Sequence, residues 1–346
     1  MKSFLGRVLL RKKFFVAVDI GSNRIKVAGI RTDGGIPRVA FLYSHESPPG
    51  VWTEQFDEEG LVGVLSRVRS EGVKEVISCI GGEKVLTRTV RFPLMSEKEL
   101  AVAAENEMEK YLSSLSGKEQ FIFRYVRLDG GSDEVNDKEK GMRVLLLAVP
   151  AAAVYQYYGI FSRAGLLVTA FDLQAFALWR LFGRDTSGTL AIIDIGSRAS
   201  HLVITRNSRI RFVRVLPVGG DGLWKRTMDI YESNTAETRQ AQEDANLLKW
   251  SLIRSKEQEE ILSEKLLEIA GEINRSLNFY TIQEGDPVEQ LILSGGGSKV
   301  GGLAAFLENI LGIPVRVGTA DLPLPEGDGF DPAYAVALGL ALRGVC

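Results

Sequence analysis

The sequence predicts an α/β protein built from two related halves, with a small α+β module inserted in the first. Three observations predict it. The apolar run Phe15–Ile20 delivers Asp19 onto a Gly21-Ser22 turn and continues as Ile25–Ile30, the pattern of a strand, a tight turn and a strand. Far along the chain, Ala191–Ile195 carries Asp194 onto Gly196-Ser197 and repeats the Asp-Ile-Gly-Ser tetrapeptide behind another buried-strand run. One such motif is weak, but two at matching points of two strands argue for a duplicated architecture. Between Val85 and Thr169 the texture changes to strand, helix, strand, strand and helix, enough for a separate module.

The tetrapeptide points to phosphate chemistry. A glycine after the acidic residue lets the backbone turn tightly and approach a ligand, and exposed amides with a serine hydroxyl form an anion-binding concavity. The aspartate cannot meet a phosphate directly. It requires a divalent cation between them, and Mg2+ held by one or two carboxylates and water suits a nucleotide tail. Two hairpins facing each other would clamp one phosphate chain, with Asp19 and Asp194 as metal ligands. The competing reading, two ordinary hairpin turns, loses force because the motif occurs twice.

Composition narrows the class. A chain of 346 residues has room for about two domains, and its 45% hydrophobic and 25% charged content is that of an ordinary globular protein. A formal charge of −2 gives no basic surplus to neutralise a nucleic-acid backbone, so no nucleic-acid partner is expected. Cys79 and Cys346 make neither a disulfide framework nor a zinc site. With only His45 and His201, a histidine-centred catalytic site is not expected, and each reads as a solvated or pairing residue. Charges interrupt the opening 13 residues before a secretory apolar core can form, so the chain is expected to stay in the cytoplasm. That basic, leucine-containing tail reads as a disordered end, with contact to an anionic membrane surface as the alternative. Val144–Ser162 lacks charge, but Pro150, Gln156 and three tyrosines divide it into a strand and a helix start.

The remaining elements follow in order. Arg38–Tyr43 is a third meander strand, Leu61, Val64, Leu65 and Val68 fall at helical spacing, and Glu75–Ile80 is a strand. Strand Val85–Phe92 stops at Pro93, and Ser96 with Glu99 supplies capping-box chemistry for a helix through Leu112. Phe121–Leu128 and Val144–Val149 are strands, and Ala151–Ala164 is a helix closed by Gly165. Val168–Phe171 feeds Asp172-Leu173-Gln174 and the helix Ala175–Phe182. After the second hairpin come strand Ile210–Leu216 and a charged, mostly helical stretch from about Gly222 to Tyr280. Strand Gln290–Leu293 runs into Ser294-Gly295-Gly296-Gly297, followed by helix Leu303–Leu311, strand Ile313–Val317 and helix Pro332–Leu342.

The two hairpins, the Gly295–Gly297 turn and two helices rich in small residues (Ala175–Ala177; Ala333, Ala335, Ala337, Gly339) resemble the actin/Hsp70/sugar-kinase superfamily. Within it the chain is most similar to the type IV pilus assembly PilM family, a relative of FtsA. Arg88–Pro93 leading into an acidic helix, Ala164-Gly165-Leu166, Asp172–Leu178 and Glu272–Tyr280 carry that closer likeness. The resemblance implies an actin-like, ribonuclease H-like duplicated ATPase fold that binds ATP and Mg2+. Subdomain 1A would comprise residues 14–84, 168–185 and 332–346, with the inserted subdomain 1C over 85–167. Subdomain 2A would comprise 186–222 and 269–331, with the helical subdomain 2B over 223–268 and a basic tail over 1–13.

Roles follow by position. Gly21, Ser22 and Lys26 would form the first phosphate loop, Gly196 and Ser197 the second, and Asp19 and Asp194 the metal site. Lys26 lies seven residues past Asp19, where actin-like proteins often carry a phosphate-contacting lysine; a solvated strand lysine is the alternative. Gly295, Gly296 and Gly297 would let backbone lie against adenosine, and Lys249 would approach ribose or adenine. Gln174 occupies the position that orients the attacking water in actin-like ATPases. One departure is Asn246, where the family pattern usually carries a ribose-contacting glutamate; an amide keeps the hydrogen bond but not the charge.

The function so implied is a cytoplasmic ATP-binding scaffold of the pilus assembly complex, at the inner face of the cytoplasmic membrane, with hydrolysis slow or incidental. Its partner would be the N-terminal cytoplasmic peptide of a PilN-type inner-membrane protein, captured by the inserted module, and membrane contact would be indirect. Pilus assembly ATPases or the platform protein are further candidate partners. A sugar-kinase-like phosphotransferase would need a base aspartate and a substrate cleft opposite the γ-phosphate, and no further Asp–Gly or Asn–Asp cluster offers one. An FtsA-like membrane-associated filament former stays open. A dinucleotide enzyme fails on the glycine spacing, which is not Gly-x-Gly-x-x-Gly.

Overall fold

The computed structural model describes residues 14–51, 53, 56–80, 85–113, 120–128, 141–220, 256–325 and 329–345. Its backbone builds the same five-stranded sheet twice. In the first, β1 (Phe14–Ile20), β2 (Arg24–Asp33), β3 (Ile36–Glu46), β4 (Glu75–Cys79) and β8 (Leu167–Asp172) lie in the order β3-β2-β1-β4-β8. In the second, β9 (Thr189–Ile195), β10 (Ser200–Arg206), β11 (Arg209–Leu216), β12 (Gln290–Ser294) and β13 (Val315–Val317) lie in the order β11-β10-β9-β12-β13. Each sheet is an antiparallel meander of three strands extended by two parallel ones. The repeated hairpins occupy equivalent central positions.

Side-chain alternation explains the layers. Val16, Val18 and Ile20 of β1 face an outer core formed with α1 (Glu58–Ser70) and α3 (Ala151–Arg163), where Leu61, Leu65, Tyr157, Ile160 and Phe161 are buried. Ala191, Ile193 and Ile195 of β9 face the corresponding outer layer, formed by α5 (Lys256–Glu284) and α6 (Leu303–Leu311). Leu266, Ile269, Ala270, Ile273, Leu277 and Tyr280 recur along α5 at helical spacing and are its buried stripe. The opposite faces, Ala17 and Ala28 in one sheet and Ile192 and Val203 in the other, belong to one shared core with α4 (Gln174–Leu178) and α7 (Ala335–Leu342).

The two inner helices touch closely. A Cβ on Gly339 would lie 2.0 Å from the carbonyl oxygen of Ala177, so the crossing of α4 and α7 admits only glycine there. Helix α4 continues into a π-helical turn, Trp179–Gly183, where the expected helix was regular through Phe182. The Trp179 indole N–H donates to the Ser208 carbonyl at 2.8 Å, a tertiary contact that local sequence does not reveal. The final helix likewise differs at its start: Pro332–Tyr334 form a 3-10 turn capped by Asp331, whose Oδ1 accepts from the Ala333 amide.

The third sheet has the order β5-β7-β6, with β5 (Leu86–Phe92), β6 (Phe121–Arg127) and β7 (Met142–Pro150) antiparallel. Helix α2 (Glu97–Ser113) covers one face through Leu100, Ala104 and Met108. Its start carries the expected capping box: the Ser96 amide and hydroxyl donate to Glu99, and the Glu99 amide to Ser96 Oγ. The tail over residues 1–13, Asn246, Lys249 and the helical stretch before Lys256 lie outside the described residues.

Candidate functional site

The carboxyl ends of the parallel strands gather the motif residues, the edge where ligands bind in open α/β sheets. Asp19 ends β1 directly across from Lys26 of β2, and Lys26 Nζ lies 3.4 Å from Asp19 Oδ2. Asp194 ends β9 directly across from His201 of β10. Both aspartates alternate onto the inner faces of their sheets, the faces that share one core. Both are buried. Burial pulls the Lys26 ammonium down, yet Asp19, Asp194 and Asp331 together outweigh it and leave its pKa above the ordinary lysine value. One lysine therefore feels carboxylates from β1, from β9 and from the turn before α7.

Asp194 faces a histidine rather than a lysine across its own hairpin. Burial pushes its carboxyl up to about 7, Lys26 opposing and Asp19 adding to the rise. His201, in the place that Lys26 holds in the first half, is held neutral, its pKa pushed down by burial to about 4. The expectation of a solvated histidine therefore fails at His201, because β10 is a central strand whose inner face is covered. His45 is half-buried and sits 4.0 Å from Glu71 Oε1.

Asp19 and Asp194 are buried oxygen donors, and the burial that raises the Asp194 carboxyl is a cost that a bound cation would offset. A divalent cation that also takes phosphate oxygens and water fits this donor set. Among the described residues no three His, Cys, Asp or Glu side chains cluster closely enough to hold an ion alone.

The glycines divide into two kinds of service. The Gly21 amide donates to the Arg24 carbonyl at 3.1 Å and the Gly196 amide to that of Ala199 at 3.2 Å. These amides close their turns and are not open to a ligand, which departs from the expectation that Gly21 and Gly196 form phosphate loops with their own backbone. In the Ser294–Gly297 turn, Gly295 has φ +81° and a Cβ there would meet the Ile195 carbonyl oxygen at 2.6 Å and Asp194 Oδ1 at 2.8 Å. A Cβ on Gly297 would strike Ile195 Cγ2 at 2.4 Å, whereas one on Gly296 meets nothing within 4 Å. Gly295 and Gly297 thus seat the turn on β9, and Gly296 alone presents open backbone.

Other groups at the site were not singled out from the sequence. Cys79 ends β4 with Sγ 3.7 Å from Asp19 Oδ1, its thiol pushed well up by burial, with Asp19 and Asp172 adding. Beside the glycine turn, a cavity of about 550 Å³ is lined by Lys299, Gly302, Ala304, Val317, Phe330 and Asp331. Lys299 Nζ donates to Asp331 Oδ2 at 2.5 Å across it. Two signals pointed there: Lys299 follows the glycine run, and Asp331-Pro332 is a helix-start pair. For His201 the signal was the spacing, since it follows Asp194 by the same seven residues that separate Lys26 from Asp19.

Gln174 opens α4, two residues past Asp172, which pairs with Cys79 across β8 and β4. Its Oε1 is buried with no hydrogen-bond partner among the described residues. A buried amide oxygen of that kind is a natural seat for one ordered water. Asp172 itself is engaged by Arg180 at 2.5 Å and Arg343 at 3.0 Å, which ties β8 to the ends of α4 and α7.

Comparison with known proteins bears on the family and the fold. The family described as type IV pilus assembly protein PilM matches residues 17–345. Cell division protein FtsA of Bacillus subtilis (strain 168) is 24% identical over 244 residues, 61% of this chain and 52% of that protein, so the chain spans about half the length of this relative. A chain of the PilM-PilN type IV pilus biogenesis complex superposes with a TM-score of 0.75 at 24% identity, over 96% of this chain and 98% of that one. Ethanolamine utilization protein EutJ from Carboxydothermus hydrogenoformans follows with a TM-score of 0.52 at 16% identity, over 95% and 89%. The fold is therefore the actin-like ATPase fold, duplicated as the two hairpins implied.

Proposed function

The chain belongs to the type IV pilus assembly protein PilM family, and on that premise we propose that it is a nucleotide-responsive scaffold of the inner-membrane assembly complex. In this reading a nucleotide lies between the two sheets, and a PilN-type membrane protein supplies a short cytoplasmic segment as partner. The observation that supports the nucleotide is that Asp19 and Asp194, at equivalent positions of the central strands of the two halves, both act on the Lys26 ammonium. The partner is supported by the likeness to a protein that forms a PilM-PilN complex. No described helix is long and apolar enough to cross a membrane. In this proposal the scaffold works at the cytoplasmic face, held there by its partner.

Each group has a task in this proposal. Asp19 and Asp194 would hold a Mg2+ ion, which when bound would supply charge neutralisation for the phosphate chain. Lys26 donates to phosphate oxygens while keeping the carboxylate pair from mutual repulsion. Ser22 and Ser197 offer hydroxyls from the two turns, and Gly296 offers backbone toward the nucleoside. Asn246 and Lys249, outside the described residues, would complete the ribose and base contacts. Gln174 holds a water with its buried Oε1, which positions a nucleophile without a strong base and suits slow turnover. Calorimetry with Mg-ATP should show binding to the wild type and at least a tenfold weaker constant, about 1.4 kcal/mol, for Asp19→Ala. Unchanged affinity in that variant would remove Asp19 from the site. Anisotropy with a labelled PilN-type tail peptide tests the partner; no binding with or without Mg-ATP would refute the scaffold reading.

A further inference from the structure

The inserted module is joined by its chain to the first half, between β4 and β8, yet it makes a buried charged contact with the second. Arg91 of β5 and Arg143 of β7 are direct cross-strand partners. Like charges placed opposite each other weaken a strand pair. Both guanidiniums reach the same carboxylate, Glu284, the last residue of α5: Arg91 Nη2 donates to both of its oxygens at 3.0 Å, and Arg143 Nη2 donates to Oε2. Arg143 is 6% and Glu284 12% exposed at the side chain, so the pair is largely desolvated. A carboxylate at a helix C-terminus also faces the negative end of the helix and its unpaired carbonyls, so its placement needs cations beside it. Each side of the contact is thus unfavourable alone and compensated by the other.

Position strengthens the case. Strand β5 runs beside β11 of the second sheet. Leu145 and Leu147, on the same face of β7 as Arg143, belong to the core that also contains Val213 of β11. Helix α5 carries the outer core of the second sheet, so a displacement of that half moves Glu284 with it.

We propose that Glu284 is a latch that fixes the module to the second half, so that the module follows that half rather than the one it is inserted in. The latch stands apart from the functional reading above, and its test needs no nucleotide or partner. Spin labels at Val102→Cys on α2 and Ile310→Cys on α6, both at exposed positions, report the distance between module and second half in a Cys346→Ser background, where the remaining Cys79 is buried. The latched protein should give one narrow distance distribution. Glu284→Gln should widen it roughly twofold by freeing the module to open locally. Arg91→Gln, at the more exposed arm, should widen it less and serves as the test should Glu284→Gln fail to fold. Distributions in the folded variants that superimpose on the parent would overturn the latch.

Discussion

Lys26 and His201 hold the same place in the two halves, each facing an aspartate across a hairpin, and their chemistry differs in a way that sets the charge of the site. A lysine stays charged there because three carboxylates surround it, while an imidazole with no such company gives up its proton. The consequence for stability can be signed. The unfolded histidine binds its proton near pH 6.5 and the folded one only near 4, so stability falls as pH drops through that window and is level outside it. The size is about 3 kcal/mol for a gap of this width. Asp194, raised to about 7, contributes the opposite slope, its penalty growing as pH rises from the ordinary carboxylate range. Comparing His201→Gln with wild type by urea denaturation isolates the histidine: the variant should gain on the wild type progressively between pH 6.5 and 4. Equal pH profiles would mean that His201 is not held neutral.

The glycines give a second residue-scale test. Gly295→Ala combines a left-handed φ with a carbonyl oxygen and a carboxylate inside contact distance, and should cost about 1–3 kcal/mol while displacing Asp194. Gly296→Ala meets open space and should be nearly neutral in stability. Denaturation curves of the two variants separate a turn that glycine must seat from one that glycine merely permits. The glycine run was legible as a turn. Which glycine touches Asp194 was not, because it depends on β12 lying beside β9, a pairing between strands far apart in the chain.

At the scale of elements, hydrophobic period and punctuation carried most of the reading. The meander of β1 to β3, the capping box of α2 and the division of Val144–Ser162 into β7 and α3 all follow from local signals. The π turn after α4 does not, and it coincides with Trp179 reaching Ser208 in the turn between β10 and β11. The small residues of α4 and α7 were legible as a likeness, and the structure gives them a physical cause in the helix crossing. Gly339→Val should cost about 3 kcal/mol or more, because its branched side chain has the Ala177 backbone where the Cβ must go. Gly271→Ala on α5 meets nothing within 4 Å and should stabilise by about 0.5–1 kcal/mol through helix propensity. Thermal denaturation of both variants checks the contrast, and a neutral Gly339→Val would refute the close crossing.

Across the whole molecule, the duplication was readable because a tetrapeptide repeats. The way the halves are joined was not, because the joining surface is made of ordinary apolar residues from both. That surface is a core shared by the inner faces of two sheets, α4, α7 and part of the inserted module. Strand β7 sits at its boundary with both faces buried: Val144, Leu146 and Ala148 turn toward α2, while Leu145 and Leu147 turn into the shared core. Neighbouring residues of one strand therefore pack into different cores. Leu146→Ala and Leu145→Ala each remove a fully buried leucine side chain and should each cost about 2–5 kcal/mol. Their effects should be distributed differently. Leu146→Ala should speed amide exchange within β5, β6, β7 and α2 and leave the paired strands of the two large sheets protected. Leu145→Ala should also release protection in α4, α7 and the inner strands β1 and β9, since the cavity opens onto the layer they share. Hydrogen exchange read by mass spectrometry resolves the two patterns, and identical patterns would mean that module and halves unfold as one unit.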